Sequence, residues 1–212
     1  TLLVVGLNLL MGYGGQISLG HAAFFGIGAY ASGILTATYG VNPWLALIAG
    51  LIICGAAAWL IGVPALKLHG YYLAMATLGF GIILNIIFNE AQTWTGGPSG
   101  LSGIPSLSLL GWPLNTPRKM YALIWLTVWA ILLLSANLVN SRSGRALRAL
   151  HDSEAAAQSL GVDTARMKLR IFIWSALYAS LAGSLYAYTL NFIAPSSFGF
   201  MFSIKLVTMV VL

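Results

Sequence analysis

The chain has 212 residues, of which 59% are hydrophobic and only 7% charged, with a net charge of +6 and a mean hydropathy of +0.89. Soluble domains carry about a quarter of their residues as Asp, Glu, Lys and Arg, so this composition cannot clothe a water-facing surface and selects an all-α, polytopic transmembrane helical bundle. The 24 Gly and 7 Trp suit helices that approach one another closely and anchor at the headgroup level. Cys54 lies alone in an apolar run, which excludes an intrachain disulfide or a cysteine metal cluster.

A helix needs about 20 apolar residues to cross hydrocarbon. In chain order the apolar stretches are 2–11, the end of a span, then 22–39, 43–63, 71–88, 120–139 and 171–192, with 205–212 beginning another. The chain opens on Thr1 and closes inside IKLVTMVVL, so 1–212 is expected to be a single transmembrane domain cut from a longer protein through a helix at each end. Stretches 22–39 and 71–88 are short and rich in glycine, which predicts that one of them is broken or buried in protein.

After the first stretch, Gly12, Gly14, Gly15 and Gly20 interrupt the apolar run at the depth of Gln16, Ser18 and His21. Such a segment kinks, re-enters or lines a cavity, because bare amides in a membrane must be satisfied by protein or water. Two roles stand open for Gln16, Ser18 and His21: a hydrogen-bonded structural break, or a place on a translocation path. With no Cys, Asp or Glu beside it, His21 is not a metal ligand. Ala22, Gly26, Ala29 and Gly33 recur at three- and four-residue steps and give the second stretch a small face for close packing, and Gly79 and Gly81 are expected to do the same in the fourth. Asn85 and Asn89, one turn apart, are candidates for contact with polar substrate atoms or with a neighbouring span.

No acid or base lies in the middle of a predicted span, with Glu90 just beyond one end of the fourth and Lys67 and His69 before the other. A proton-coupled transporter needs an intramembrane carboxylate, so its absence favours a pathway driven from outside the spans. Sodium coupling through backbone carbonyls leaves no such mark, and a secondary transporter or channel for a small polar or zwitterionic solute stands as the rival class. A membrane scaffolding subunit is a third.

Segment 89–119 contains Pro98, Pro105, Pro113, Pro117 and the pair Gly96-Gly97, and is expected to be a run of turns around one short element near 106–110. Trp94 and Trp112 suit the headgroup region. The segment is either a simple anchored connection or a docking surface.

Segment 140–169 reads NSRSGRALRALHDSEAAAQSLGVDTARMKL. Ser143 is expected to cap a short helix with Arg145 and Arg148 on one face and Leu147 and Leu150 on another. Asp152 or Ser153 caps a second, in which Glu154 favours the helix dipole and Ala155, Ala156 and Ala157 make a narrow turn. Gly161 then ends it in the left-handed conformation, and Asp163 or Thr164 caps the next helix. A short, small-faced helix fits a groove on another protein; the alternative is a loop whose arginines only fix topology. Nucleic acid is excluded as a partner, since Asp152, Glu154 and Asp163 interrupt the basic residues and no aromatic lies among them.

Arg142, Arg145, Arg148, Arg166, Lys168 and Arg170 in segment 140–170 contrast with only Arg118 and Lys119 in 89–119, which predicts 140–170 in the cytoplasm and 89–119 outside. Alternation puts 12–21 and 64–70, with Lys67, on the cytoplasmic side and 40–42 outside.

Three stretches resemble a known family: NLLMGYGGQISLGHAAFFGIGAYAS at 8–32, LHGYYLAMATLGFGIILNIIFNEAQTWTGGPSGLSGIP at 68–105, and GRALRALHDSEAAAQSLGVDTARMKLRIFIWSALYASLAGSLYAY at 144–188. They resemble the inner-membrane permease subunit, of the larger permease type, in bacterial branched-chain amino acid ABC importers. The GYGGQISLGHAAF run is the most specific of them. The resemblance implies a cytoplasmic coupling helix seated in an ATPase cleft, with Ala156, Ala157 and Gly161 in the motif and Glu154 or Asp152 as its acidic contact; Ala155 stands where many importer permeases have the glutamate. It further implies a second permease subunit, two cytoplasmic ATPases and a periplasmic substrate-binding protein as partners in the bacterial inner membrane. ATP would be used by the partners, with no cofactor on this chain. The sequence holds no glycine-rich phosphate loop with its lysine and hydroxyl, in keeping with a transport subunit that is not itself an enzyme.

Overall fold

The computed structural model describes residues 1–66, 68, 70–109, 112–113 and 116–212; Lys67 and His69, the far end of the 106–110 element, and the side chain of Trp112 lie outside the described residues. α1 (Leu2–Asn8) runs on through a π turn (Leu9–Tyr13), and after a non-helical break comes α2 (His21–Ala37). α3 (Pro43–Ala65) and α4 (Tyr71–Glu90) follow, then the short α5 (Gln92–Thr95) and the two-residue strands β1 (Leu101–Ser102), β2 (Ser108–Leu109) and β3 (Trp112–Pro113). α6 (Pro117–Asn140), α7 (Arg142–Asp152), α8 (Glu154–Ser159), α9 (Thr164–Leu190), β4 (Phe192–Ile193) and α10 (Phe200–Val211) complete the described chain.

Helix starts follow from local chemistry. Asn42 accepts from the Trp44 N–H at 3.0 Å, ahead of Pro43 at the first position of α3. Pro117 opens α6 three residues before the expected start at Met120. Asp163 caps α9 through the Arg166 N–H at 3.1 Å. The cap of α7 is Ser141 and not Ser143: its Oγ accepts from the Gly144 N–H, and Gly144 packs against the Val139 carbonyl where a side chain would overlap. α10 begins at Phe200, ahead of the expected Lys205, because Lys205 is an exposed side chain within the helix and does not mark its boundary.

α3, α4, α6 and α9 are long and apolar enough to cross a membrane. α2 is shorter, and nearly all of it is buried, from His21 to Thr36, among α3, α9, α4 and α10. Of the two glycine-rich stretches, the second is therefore the one enclosed in protein. Its closest approach is to α9, where Gly28 faces the Ser180 backbone and Gly183 faces the Phe25 carbonyl so tightly that a Cβ at either would overlap main chain. Gly26 accepts the rings of Phe88 and Phe198, and Gly33 meets Ile104, Ile193 and Leu101. Ser184 donates to the Gly28 carbonyl at 3.1 Å and Ser180 to the Gly50 carbonyl at 3.2 Å, adding polar links across the same contacts. The expectation of packing at Gly79 fails: nothing lies within 4 Å of a Cβ built there, since it sits on the outward side of α4.

Segment 89–119 is more structured than its composition suggests. β1 pairs antiparallel with β4 (Leu101 with Ile193), β2 pairs with β3, and Thr95 Oγ1 donates to the Phe88 carbonyl at 2.7 Å to fold α5 back on α4. Tyr188 donates to the Pro43 carbonyl at 3.1 Å, so residues 40–43 gather with 89–119 and 191–199 at one end of the bundle. At the other end Gly14–Ile17, Leu66–Gly70 and the start of α8 line one cavity.

Substituting Gly183→Val is expected to lower the thermal stability of the detergent-solubilised protein by the equivalent of about 1–3 kcal/mol or to prevent folding. Gly79→Ala, with open space around it, is expected to leave the melting temperature unchanged or higher. Fluorescence-detected size exclusion after heating measures both.

Candidate functional site

The break between α1 and α2 organises the centre of the molecule. Wide turns carry the chain out of the helix, with the Gly14 N–H bonding the Leu9 carbonyl and the Gln16 N–H bonding the Leu10 carbonyl, both at 3.1 Å. Gly15, at φ +63, reverses the chain in a conformation that favours glycine. The segment then runs back inside the bundle to His21.

His21 is fully enclosed and bonded on both sides. Its Nε2 lies 2.6 Å from Ser175 Oγ and its Nδ1 3.2 Å from Ser18 Oγ. Ser175 gives its one proton to the Gly6 carbonyl, so the proton between His21 and Ser175 sits on Nε2. The backbone of the break is satisfied from two further helices: the Leu19 N–H donates to Thr77 Oγ1 at 3.1 Å and the Ala22 N–H to Ser203 Oγ at 3.3 Å. Ser18 and His21 are thus tied into α1 and α9. Gln16 differs: it is 4% exposed, and neither amide atom has a hydrogen-bond partner.

Asn85 and Asn89 lie elsewhere. They follow Thr77 on α4 by two turns or more, about 12 Å along the axis to Asn85. Asn85 Nδ2 donates to the Pro195 carbonyl at 3.1 Å, and Asn89 Nδ2 to the Asn85 carbonyl at 2.8 Å. The structure brings Ser18 and His21 together, with Gln16 in the same segment, but not with the asparagines. Ser175, Thr77 and Ser203 escaped the sequence reading, because each stands singly in an apolar run. The one available signal was the small-residue stripe Ser175, Ala179, Gly183 on α9, all buried.

At the arginine-rich end, α7 buries Leu147 and Leu150 and turns Arg145 and Arg148 outward, with Arg148 Nη2 donating to the Val139 carbonyl at 2.8 Å at the end of α6. Ser153 caps α8 through the Ala156 N–H. Gly161, at φ +79, closes it with the Gly161 N–H on the Gln158 carbonyl and the Val162 N–H on the Ala157 carbonyl, the Schellman pair. The five candidate residues divide. Asp152, Ala156 and Gly161 are exposed, together with Ala155, Ser159 and Leu160, the last 78% exposed. Ala157 is buried, and Glu154 turns inward to Lys168, Oε1 to Nζ 2.6 Å. His151 at the end of α7 packs on Gly15, where a Cβ would come within 2.9 Å of its Nδ1. The exposed helix therefore rests directly on the break.

Residues 1–212 match the family described as "Branched-chain amino acid transport system / permease component". The chain belongs to that permease family. It is a multi-pass membrane protein. It is 36% identical to the high-affinity branched-chain amino acid transport system permease protein LivM of Escherichia coli (strain K12), over 100% of this chain and 55% of that protein. Identity to the permease protein LivH of the same organism is 29%, over 100% of this chain and 73% of that protein. The autoinducer 2 import system permease protein LsrC of Shigella flexneri is 31% identical over 70% of this chain and 40% of that protein. The chain spans about half the length of the LivM relatives it matches. No solved structure matches it.

Ser175→Ala leaves a buried imidazole N–H without an acceptor, and this permease variant is expected to lose about 1–3 kcal/mol of stability. Ser135→Ala, which removes only a 3.4 Å contact with Tyr178, is expected to shift the melting temperature far less. Thermal unfolding of the two purified variants side by side tests the ranking.

Proposed function

We propose that the chain is the membrane core of a permease subunit in an ATP-driven importer of branched-chain or related small amino acids in the bacterial inner membrane. Its arginine-rich end faces the cytoplasm, following the bias of Lys and Arg toward 140–170. There α8 docks into an ATPase subunit, one of two, while a second permease subunit completes the path and a periplasmic binding protein delivers the solute to the end formed by 89–119. ATP is hydrolysed by the partners, and this chain transmits their motion.

The observation that carries the proposal is the division of α8 into an inner and an outer face. Ala157 and Glu154 hold it to the bundle, while Asp152, Ala155, Ala156 and Leu160 stand free of it and offer a narrow surface with one large apolar side chain. Small residues let a partner approach closely, and an exposed leucine on a six-residue helix is the kind of anchor a pocket accepts. Because His151 rests on Gly15, displacement of this helix pair reaches the broken segment without an intervening hinge.

Ala156→Trp and Leu160→Asp alter only exposed positions. In the full-length permease expressed with its partners, each is expected to insert normally yet lose about tenfold or more of the co-purifying ATPase, the loss of a contact of about 2 kcal/mol at an interface centre. Undiminished ATPase capture by both variants would sink the docking assignment. Gly161→Leu forces a left-handed conformation that costs about 1–2 kcal/mol, and is expected to lower ATP-driven uptake in vesicles, whereas Gly161→Asn retains most of it.

A further inference from the structure

Between the break and the α7–α8 pair lies a cavity of about 230 Å³ whose walls divide by chemistry. One wall holds Lys168 and Glu154 side by side, with side chains 12% and 33% exposed. The ammonium spends one of its three N–H groups on Glu154 Oε1. Gln16 also lines the cavity, its buried amide unpartnered at both atoms. A buried amide in that condition calls for a water or a ligand. The remaining walls are apolar and branched, with Leu66, Leu73 and Leu150 among them.

Opposite charges beside an unpartnered amide and a leucine-rich wall form the complement of one chemical class. Its carboxylate meets Lys168, its ammonium meets Glu154, and an aliphatic side chain meets the leucines. We infer that this cavity binds a small aliphatic α-amino acid from the cytoplasmic side and that its occupancy restrains transport, so that accumulated solute slows its own uptake. The inference rests on the importer reading above. The sense of the effect follows from position: the cavity separates His151 and Glu154 from residues 14–17, and an occupant there blocks the approach of the helix pair to the break.

The test uses the assembled transporter in vesicles, with ATP inside and the binding protein and labelled L-leucine outside, so that only complexes with their cytoplasmic face inward are read. Unlabelled L-leucine in the lumen is expected to lower the initial uptake rate severalfold, while luminal L-glutamate does not. Lys168→Met and Leu73→Trp are each expected to weaken that inhibition, measured against the same variant in leucine-free vesicles. Equilibrium binding of labelled L-leucine to the solubilised permease–ATPase complex, without the binding protein, is expected to be saturable and to be lost in Lys168→Met. Uptake indifferent to luminal leucine overturns the inference, as does inhibition undiminished in both variants or the absence of saturable binding. A complex that moves no amino acid overturns the importer reading instead, and the binding measurement then decides the cavity by itself.

Discussion

Every peptide group left outside a helix within hydrocarbon needs a partner from the protein, and residues 14–20 are where this chain meets that demand. The groups that answer it come from separate helices. Thr77 of α4 accepts from the Leu19 N–H, Ser203 of α10 from the Ala22 N–H, and Ser175 of α9 joins His21 to the α1 backbone. These bonds oblige α1, α4, α9 and α10 to converge on one point. α2 can then start deep in the bundle, and because it is too short to cross alone it must be sheathed by its neighbours. The glycine contacts at Gly28 and Gly183 are the steric counterpart, since they let α2 and α9 approach closely enough for the serines between them to reach carbonyls.

The large features were legible because they depend on local periodicity and composition. Apolar length located the helices, glycine and serine signalled the interruption before His21, and the caps at Ser153, Gly161 and Asp163 declared the ends of the polar helices. What stayed hidden depends on distant pairing. That Ser175 meets His21, that β1 meets β4, or that Gly79 faces outward while Gly183 faces inward is settled by which helix lies opposite. The candidate site was half visible for the same reason. Its residue types stood out in the sequence, but only the fold separates Ala156 from Ala157 and places Asn85 away from His21.

Glu154 illustrates how position changes the meaning of a residue. From sequence it is an acidic side chain in the first turn of a helix, suited to the dipole and equally suited to a partner. In the fold its carboxylate pairs with Lys168 at 2.6 Å across a gap of 14 residues, joining α8 to α9 beside a cavity. Asp152, on the other side of Ser153, keeps the exposed position. The serine cap between them turns one acid in and the other out.

α9 links these regions as one piece. It runs 27 residues without a proline, about 40 Å at the rise of an α-helix, from the Asp163 cap beside α8 to the left-handed Asn191 that hands the chain to β4. Ser175, Ser180, Gly183 and Ser184, which grip α1, α2 and α3, all lie on it. A helix of this kind bends little and does not shorten, so it behaves as a crossbeam. A tilt imposed at the Lys168 end must reappear, reversed in direction about whatever contact serves as fulcrum, at the β1–β4 pair on the opposite rim.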